Sequence, residues 1–245
     1  MNQGKLTVVG IGPGSVLDRT HRAENAIREA SVVAGYDLYL DHVKDLLEGK
    51  ERIASGMMAE VERCRAALQA AQGGAQVALV SSGDAGIYGM AGLALEMAEA
   101  EGFQVPIEIV PGVSAAQSSA ARMGAPLMLD WACISLSDLM VDWDTIRRRV
   151  EAVASADMVV ALYNPRSKRR VRQLEEAVEI LSKYRPGSTP VGIATAVGAP
   201  EERIVLSTLD RLLGEEVGMR SLVIVGNCGS RVSSGWFITP RGYEL

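Results

Sequence analysis

The stretch Val77–Met90, VALVSSGDAGIYGM, decides how the chain folds. Val77, Ala78, Leu79 and Val80 make a continuous apolar run of the kind used by a strand buried on both faces. Two serines follow, then Gly83, Asp84, Ala85 and Gly86. From Ile87 the pattern turns helical through GMAGLALEMAEA. A buried strand feeding a glycine-rich turn and then a helix is the repeating unit of parallel α/β sheets, which bind ligands beyond the carboxyl ends of their strands. Gly83 and Gly86 let backbone approach a ligand closely and tolerate positive φ. Asp84 offers a fixed acceptor for ribose hydroxyls or an ammonium group; the plainer alternative is an N-cap for the next helix. The loop has no lysine or arginine, which argues against a polyphosphate ligand.

The same unit recurs upstream and downstream. KLTVVG (Lys5–Gly10) reads as a first strand, followed by Ile11, Gly12, Pro13, Gly14 and Ser15. A helical pattern then runs to Ala30, with Leu17, Ala23, Ala26 and Ile27 on its apolar face. The glycines Gly10, Gly12 and Gly14 miss the dinucleotide spacing G-x-G-x-x-G, and Pro13 removes an N–H that a pyrophosphate would use. Asp37 lies 23 residues past Gly14, after a second strand at Val32–Tyr36, and imitates the ribose-binding acid of NAD enzymes. Met57–Ala71 reads as an amphipathic helix with Met57, Val61, Cys64, Leu68 and Ala71 on one face. Ile107–Val110 is a further strand that ends in Pro111, Gly112, Val113 and Ser114, the serine being a natural N-cap for the small-residue helix AAQSSAARM. Right-handed crossovers place all these turns on one edge of a parallel sheet.

Gly124-Ala125-Pro126 is the expected hinge, giving domains 1–124 and 125–245. The second half reads as strands at Ala132–Leu136, Met158–Tyr163, Pro190–Thr195, Arg203–Ser207 and Ser221–Gly226, with helices bearing Ile146, Val150 and Val153, then Val171, Leu174, Val178 and Leu181. The short turn near Ala199-Pro200 joins two of these strands, so this second sheet is expected to be mixed. The fold class is α/β, with a parallel N-terminal and a mixed C-terminal sheet.

Composition excludes several function classes. The 245 residues are 48% hydrophobic and 22% charged, with a net charge of −5. That describes a globular protein and disfavours a general nucleic-acid binder. No apolar run approaches the ~18–20 residues of a membrane span, and MNQGKLTVVGIGPGS does not read as a signal peptide, so a cytoplasmic location without membrane association is expected. Cys64, Cys133 and Cys228 are far apart and read as reduced thiols. His21 and His42, the only histidines, have no metal-ligand spacing, so neither bound metal nor a histidine-centred triad is expected.

VGIGPGS, SSGDAGIYGMAG, VPGVSA, ISLSDLM, LYNPRSKRR, SLVIVGN and ITPRGYEL together resemble the tetrapyrrole methylases. ISLSDLM and YNPRS are similar to the C17-methyltransferases of cobalamin biosynthesis. GMMAEVERC, the Ala85 form of the central loop and PRGYEL resemble the cobalt-handling, anaerobic branch, which acts on cobalt-factor III; the aerobic precorrin-3B branch is the alternative. The resemblance implies a homodimer of two-domain chains, with S-adenosylmethionine in the cleft between the domains and a trough for the macrocycle. It implies cofactor contacts at Pro13, Gly83, Asp84, Ala85, Ile87, Tyr88, Ser114 and Ala115, and at Asn164 and Val197. In related enzymes the place of Asn164 often carries a methionine, and that of Ala85 a proline.

Methyl transfer from a sulfonium is an in-line displacement that needs no protein nucleophile; holding the acceptor carbon about 3–3.5 Å from the methyl group does most of the work. The implied cofactor carries no phosphate, consistent with the absence of basic residues in the Gly83–Gly86 loop. The substrate implied by the resemblance is a polycarboxylate, for which Arg166, Lys168, Arg169, Arg170 and Arg172 supply local positive charge, a solvated helix face being the plainer alternative; Arg166, in the turn itself, is the strongest candidate. Gly12 and Gly14 of the first loop, with Arg166 and Lys168, are the expected substrate contacts. Ring contraction, which the resemblance also implies, needs proton handling, for which Asp84, Ser137, Asp138 and Tyr163 are candidates and none is singled out. Asp138 also reads as a helix N-cap, and Arg147–Arg149 as helix surface. Two other readings stand beside this one: a nicotinamide-dependent oxidoreductase using Gly10–Gly14 and Asp37, and a tetrapyrrole carrier without catalysis.

Overall fold

Period-two alternation within the apolar strands sets which helices cover which face. In the strands β1 (Lys5–Gly10), β2 (Val32–Tyr36) and β4 (Gln76–Ser81), residues Leu6, Val8, Val32, Ala34, Val77 and Leu79 point one way, with Cys64, Ala67, Leu68, Ala94 and Met97. Val9, Val33, Ala78 and Val80 point the other way, with Ala23, Ile27, Leu40 and Leu47. Both faces are therefore dry, which is why these strands read as continuous apolar runs. Full burial of one leucine such as Leu68 is worth about 1.5–3 kcal/mol.

A computed structural model describes residues 3–244. It divides into two compact units, Met1–Ala115 and Ala116–Leu245. The first unit adds the helices α1 (His21–Glu29), α2 (Asp37–His42), α3 (Glu60–Gln72) and α4 (Met90–Glu101), and the strands β3 (Glu51–Ser55) and β5 (Ile107–Val110). Its five strands are all parallel, in the order β3-β2-β4-β1-β5. The chain leaves β1 toward β2 and leaves β4 toward β5, in opposite directions across the sheet. That reversal places a ligand crevice at the carboxyl ends of β1 and β4.

The second unit contains α5 (Ala115–Met123), which starts at the boundary, β6 (Gly124–Ala125), β7 (Trp131–Ser135), α6 (Trp143–Ser155), β8 (Val159–Tyr163), α7 (Arg172–Leu181), β9 (Pro190–Thr195), β10 (Arg203–Thr208), β11 (Ser221–Val225), β12 (Arg231–Ser233) and β13 (Trp236–Ile238). Its main sheet is mixed, in the order β10-β9-β11-β8-β7, with only β7 and β8 paired in parallel. Ile146, Val150, Leu174 and Leu181 from α6 and α7 cover one face against Val160, Leu162, Ile193 and Val223. Because β9 is antiparallel to β11, and β11 to β8, the carboxyl ends of β7, β8 and β9 share one edge.

Three sequence expectations change. Leu17 is 94% exposed, because Val16–Asp18 form a separate 3-10 turn capped by Ser15, and Thr20 then caps α1 by accepting from the Ala23 amide at 3.1 Å. Met57 and Val61 do not face the core, being 59% and 42% exposed; Met58 adopts φ 67, so α3 begins only at Glu60. Gly124-Ala125 is not a bare hinge: it is strand β6, paired with Phe237 and Ile238 of β13. A Cβ at Gly124 would lie 2.7 Å from the Phe237 carbonyl oxygen, so the pairing requires glycine there.

Candidate functional site

Three loops at the carboxyl edge of the first sheet lock into one another. Gly12, after β1, and Gly83, after β4, form a two-bond bridge: the Gly12 amide donates to the Gly83 carbonyl at 3.1 Å and the Gly83 amide to the Gly12 carbonyl at 2.8 Å. Both glycines have positive φ, at 79° and 65°. Gly112, after β5, fits against this bridge so tightly that a Cβ there would lie 2.2 Å from the Gly83 oxygen and 2.7 Å from the Gly10 carbonyl. The Asp84 carboxylate fastens the group, accepting from the Gly86 amide at 2.8 Å and, across 28 residues, from the Gly112 amide at 3.0 Å.

This assigns Asp84 a role that the sequence reading did not. It is not the N-cap of α4, which starts six residues later with Gly89 at the cap position. The helix start is met instead by the buried Ser81 hydroxyl, which accepts from the Met90 amide at 3.4 Å. Ala85 turns its side chain into the core with Met90 and Ala91. Ile87 and Tyr88 are exposed, and Tyr88 holds φ 53, a conformation that costs a non-glycine residue about 1–3 kcal/mol and concentrates at functional sites. Pro13 and Gly14 are half-buried in the first loop, Ser114 is buried and Ala115 opens α5. Asp37 is exposed at the start of α2. The engaged Gly12 amide is withdrawn from any pyrophosphate, which counts against the nicotinamide reading.

Arg19 holds the far end of the first loop. Its buried guanidinium forks onto Asp45, at 3.2 and 2.7 Å, and donates from Nε to Glu24 at 3.2 Å. The Arg19 hydrogen bond holds the Asp45 carboxyl below its ordinary value of 3.8, against a smaller opposing effect of burial. A carboxylate with a depressed folded pKa stabilises fully above its unfolded value and loses that contribution as pH falls through the folded one. Asp45→Asn is expected to cost about 1–2 kcal/mol at pH 5–8, the pair being half-exposed on its acid side. Urea unfolding of both proteins between pH 7 and pH 2.5 checks this: the difference should stay flat to about pH 4 and then shrink.

In the second unit, the ends of β7 and β8 are joined by a ring of polar contacts. The Asn164 side-chain amide donates to the Ser135 hydroxyl at 3.0 Å, and the Ser137 amide donates to the same oxygen at 3.2 Å. Arg170 donates from Nε to the Asn164 carbonyl at 3.0 Å and from Nη1 to the Ser137 hydroxyl at 3.2 Å. Asn164 has φ 49, which asparagine tolerates better than most residues. The Tyr163 hydroxyl accepts from the Ala116 amide at 3.0 Å. Asp138 is not a helix N-cap; that place before α6 belongs to Asp142, while Asp138 accepts from Gln173 at 2.9 Å. Arg166 lies 3.6 Å from Glu175, Lys168 is exposed, and Val197 is buried just after Ala196 at φ 52. Ser137 and Arg170 are thus brought together, while Arg166 faces a carboxylate of its own.

These features match known proteins. Residues 5–213 match the family model for tetrapyrrole (corrin/porphyrin) methylases. The chain belongs to that family. Among curated relatives of this methylase, the cobalt-factor III methyltransferase of Priestia megaterium is 45% identical over 99% of the chain, which spans only 46% of that relative's length. A probable cobalt-factor III C(17)-methyltransferase of Salmonella typhimurium is 46% identical over 98% of the chain and 100% of its own length. The crystal structure of the methyltransferase CobJ superimposes with a TM-score of 0.92 at 35% identity, over 97% of this methylase and 100% of CobJ. The uroporphyrin-III C-methyltransferase of Thermus thermophilus, complexed with S-adenosylhomocysteine, superimposes with a TM-score of 0.73 at 25% identity, over 91% and 97% of the two chains.

Sequence reasoning missed Ser81, Gly112 and Arg170 as organisers of this methylase's loops. Ser81 carried a signal, as the first of two serines directly after the central strand. Gly112 and Arg170 carried none beyond their loops, because their partners lie in other crossovers. Among the described residues, no group of three or more His, Cys, Asp or Glu side chains is arranged to hold a metal ion, and no helix is long and apolar enough to cross a membrane.

Proposed function

We propose that this methylase transfers a methyl group from S-adenosylmethionine to C17 of cobalt-factor III, with contraction of the macrocycle, in cobalamin biosynthesis. The observation that carries the reading is the interlocked Gly12–Gly83–Gly112 platform, built from backbone and fastened by Asp84. It suits a nucleoside ligand that lacks phosphate. The loops after β4 and β5 bear no basic side chain, and Arg19 in the first loop is committed to Asp45 and Glu24. Exposed Ile87 and Tyr88 add apolar and aromatic surface beside backbone amides and carbonyls, a donor set matched to adenine, ribose and a sulfonium.

When bound, S-adenosylmethionine supplies an activated methyl group. The chain's own work is placement: Asp84 fixes the loop geometry by holding the Gly86 and Gly112 amides, and the bridge of Gly12 to Gly83 keeps the platform rigid. No protein nucleophile is required, and Asp84, with both carboxylate oxygens on backbone amides, acts as a positioning residue. The homologous names support the cobalt-bearing substrate over precorrin-3B. Homodimer assembly, a cytoplasmic location and the absence of a resident metal belong to the same proposal.

Anaerobic incubation with S-adenosylmethionine and either cobalt-factor III or precorrin-3B, read by mass spectrometry, tests the choice of substrate. One methyl group added to the cobalt compound is expected. Methylation of precorrin-3B alone would move the enzyme to the metal-free branch. Binding of S-adenosylhomocysteine without turnover of either would make it a carrier.

A further inference from the structure

We propose that Arg170 is the side chain that binds a carboxylate of the macrocycle, and that Ser135, Ser137 and Asn164 exist as a ring to aim it. This rests on the function proposed above and adds the residue that selects the substrate.

The argument begins with charge. An arginine withdrawn from water is costly unless an anion accompanies it. Of its neighbours, Arg166 lies 3.6 Å from Glu175 and Arg172 3.5 Å from Glu176, while Arg169 is exposed to water. Arg170 has only neutral acceptors, the Asn164 carbonyl and the Ser137 hydroxyl. Among the described residues, no carboxylate comes within ion-pair distance of it. Asp138, whose charge is felt at Arg170, is drawn to Gln173. Burial pushes the Arg170 pKa down and Asp138 opposes that only in part, so its charge is incompletely compensated.

Geometry separates Arg170 from Arg63 and Arg185, two buried arginines that also donate to neutral oxygens. Arg63 donates to Ser55 and Gly56, and Arg185 to the carbonyls of Gly226, Met158 and Val153. These are 4% and 3% exposed and act as internal staples with no face left for a ligand. Arg170 is half-buried, and its two known bonds use Nε and one Nη1 proton of five donors. The remaining donors keep the planar fork available for bidentate contact with a carboxylate. Its two tethers hold the fork at the carboxyl edge of the parallel β7–β8 pair. Beside it, Leu139 and Met140 on the loop after β7 stand 74% and 94% exposed. An anchored cation next to an exposed apolar loop suits a flat, apolar ring with acidic side chains.

The test is steady-state kinetics with cobalt-factor III at saturating S-adenosylmethionine, run on the wild type, Arg170→Gln, Arg170→Lys and the charge-matched surface variant Arg149→Gln. S-adenosylhomocysteine affinity and thermal midpoint are measured alongside. Arg170→Gln is expected to raise KM for the tetrapyrrole about tenfold or more, the loss of one charged contact, with cofactor affinity within about twofold. Arg170→Lys should recover part of that loss, and Arg149→Gln should show none of it. Esterifying the substrate carboxylates should weaken binding to the wild type by a larger factor than binding to Arg170→Gln. A KM for Arg170→Gln equal to that of Arg149→Gln would overturn the assignment while leaving the methylation reading intact. So would a KM rise that tracks a fall in thermal midpoint and cofactor affinity, or equal sensitivity of both proteins to esterification. A wild type that neither binds nor methylates the tetrapyrrole would overturn the proposed function itself, before any variant is compared.

Discussion

Gly112→Ala is expected to lower the stability of the first unit by about 3 kcal/mol and to weaken S-adenosylhomocysteine binding at least about tenfold. The added methyl would sit 2.2 Å from the Gly83 carbonyl oxygen and 2.7 Å from the Gly10 carbonyl. Both neighbours are backbone, so no side-chain rotation relieves the overlap. Relief requires one of the loops after β1, β4 and β5 to move, and the Gly12–Gly83 bridge and the Asp84 contact to Gly112 move with it. Gly92→Ala is the matched control: its Cβ would meet nothing within 4 Å on α4, and helix propensity favours alanine by up to about 1 kcal/mol. Urea unfolding and calorimetric titration of both variants would decide. Equal stability and affinity in the two would mean the loops are not interlocked.

The second large effect is expected at Asp84. Asp84→Ala removes two charge-assisted hydrogen bonds, to Gly86 at 2.8 Å and to Gly112 at 3.0 Å. Such bonds contribute about 1.5–3 kcal/mol each when buried and less here, where the carboxylate is half-exposed, so about 2 kcal/mol in total is expected. Cofactor affinity should fall about tenfold, because the clamp sets the loop proposed above to meet the cofactor. Asp84→Asn keeps one acceptor oxygen and should lose about half as much. Since Asp84 positions backbone, the pH profile of kcat/KM should keep both limbs in Asp84→Asn. Loss of a limb, with cofactor affinity and stability unchanged, would instead make Asp84 the proton-transfer group.

Why these two positions escape a sequence reading is physical. The strands β2, β5 and β9 appear in the sequence with the boundaries they have in the fold, because each is an apolar run closed by turn residues. The parallel and mixed character of the two sheets also follows from such runs and their spacing. Contacts made across a crossover leave no such trace. That Gly112 must be glycine depends on where β5 lands beside β1, and Asp84 reads as a ligand acceptor or a helix cap until Gly112 is placed opposite it. Leu17 and Met57 fit an apolar helical face by period, yet Ser15 and the positive φ of Met58 keep both outside their helices. The basic run Arg166–Arg172 shows where charge lies but not which charge is already answered. Glu175 and Glu176 answer Arg166 and Arg172, and only the fold shows that, among the described residues, no carboxylate pairs with Arg170.

The most direct test of the whole account is the position of the transferred methyl group. The protein would be incubated anaerobically with cobalt-factor III and S-adenosylmethionine carrying a carbon-13 methyl, and the product examined by carbon NMR. The account requires the label on C17 of a ring-contracted macrocycle. Label on any other carbon, or an unlabelled macrocycle with the cofactor intact, would contradict it.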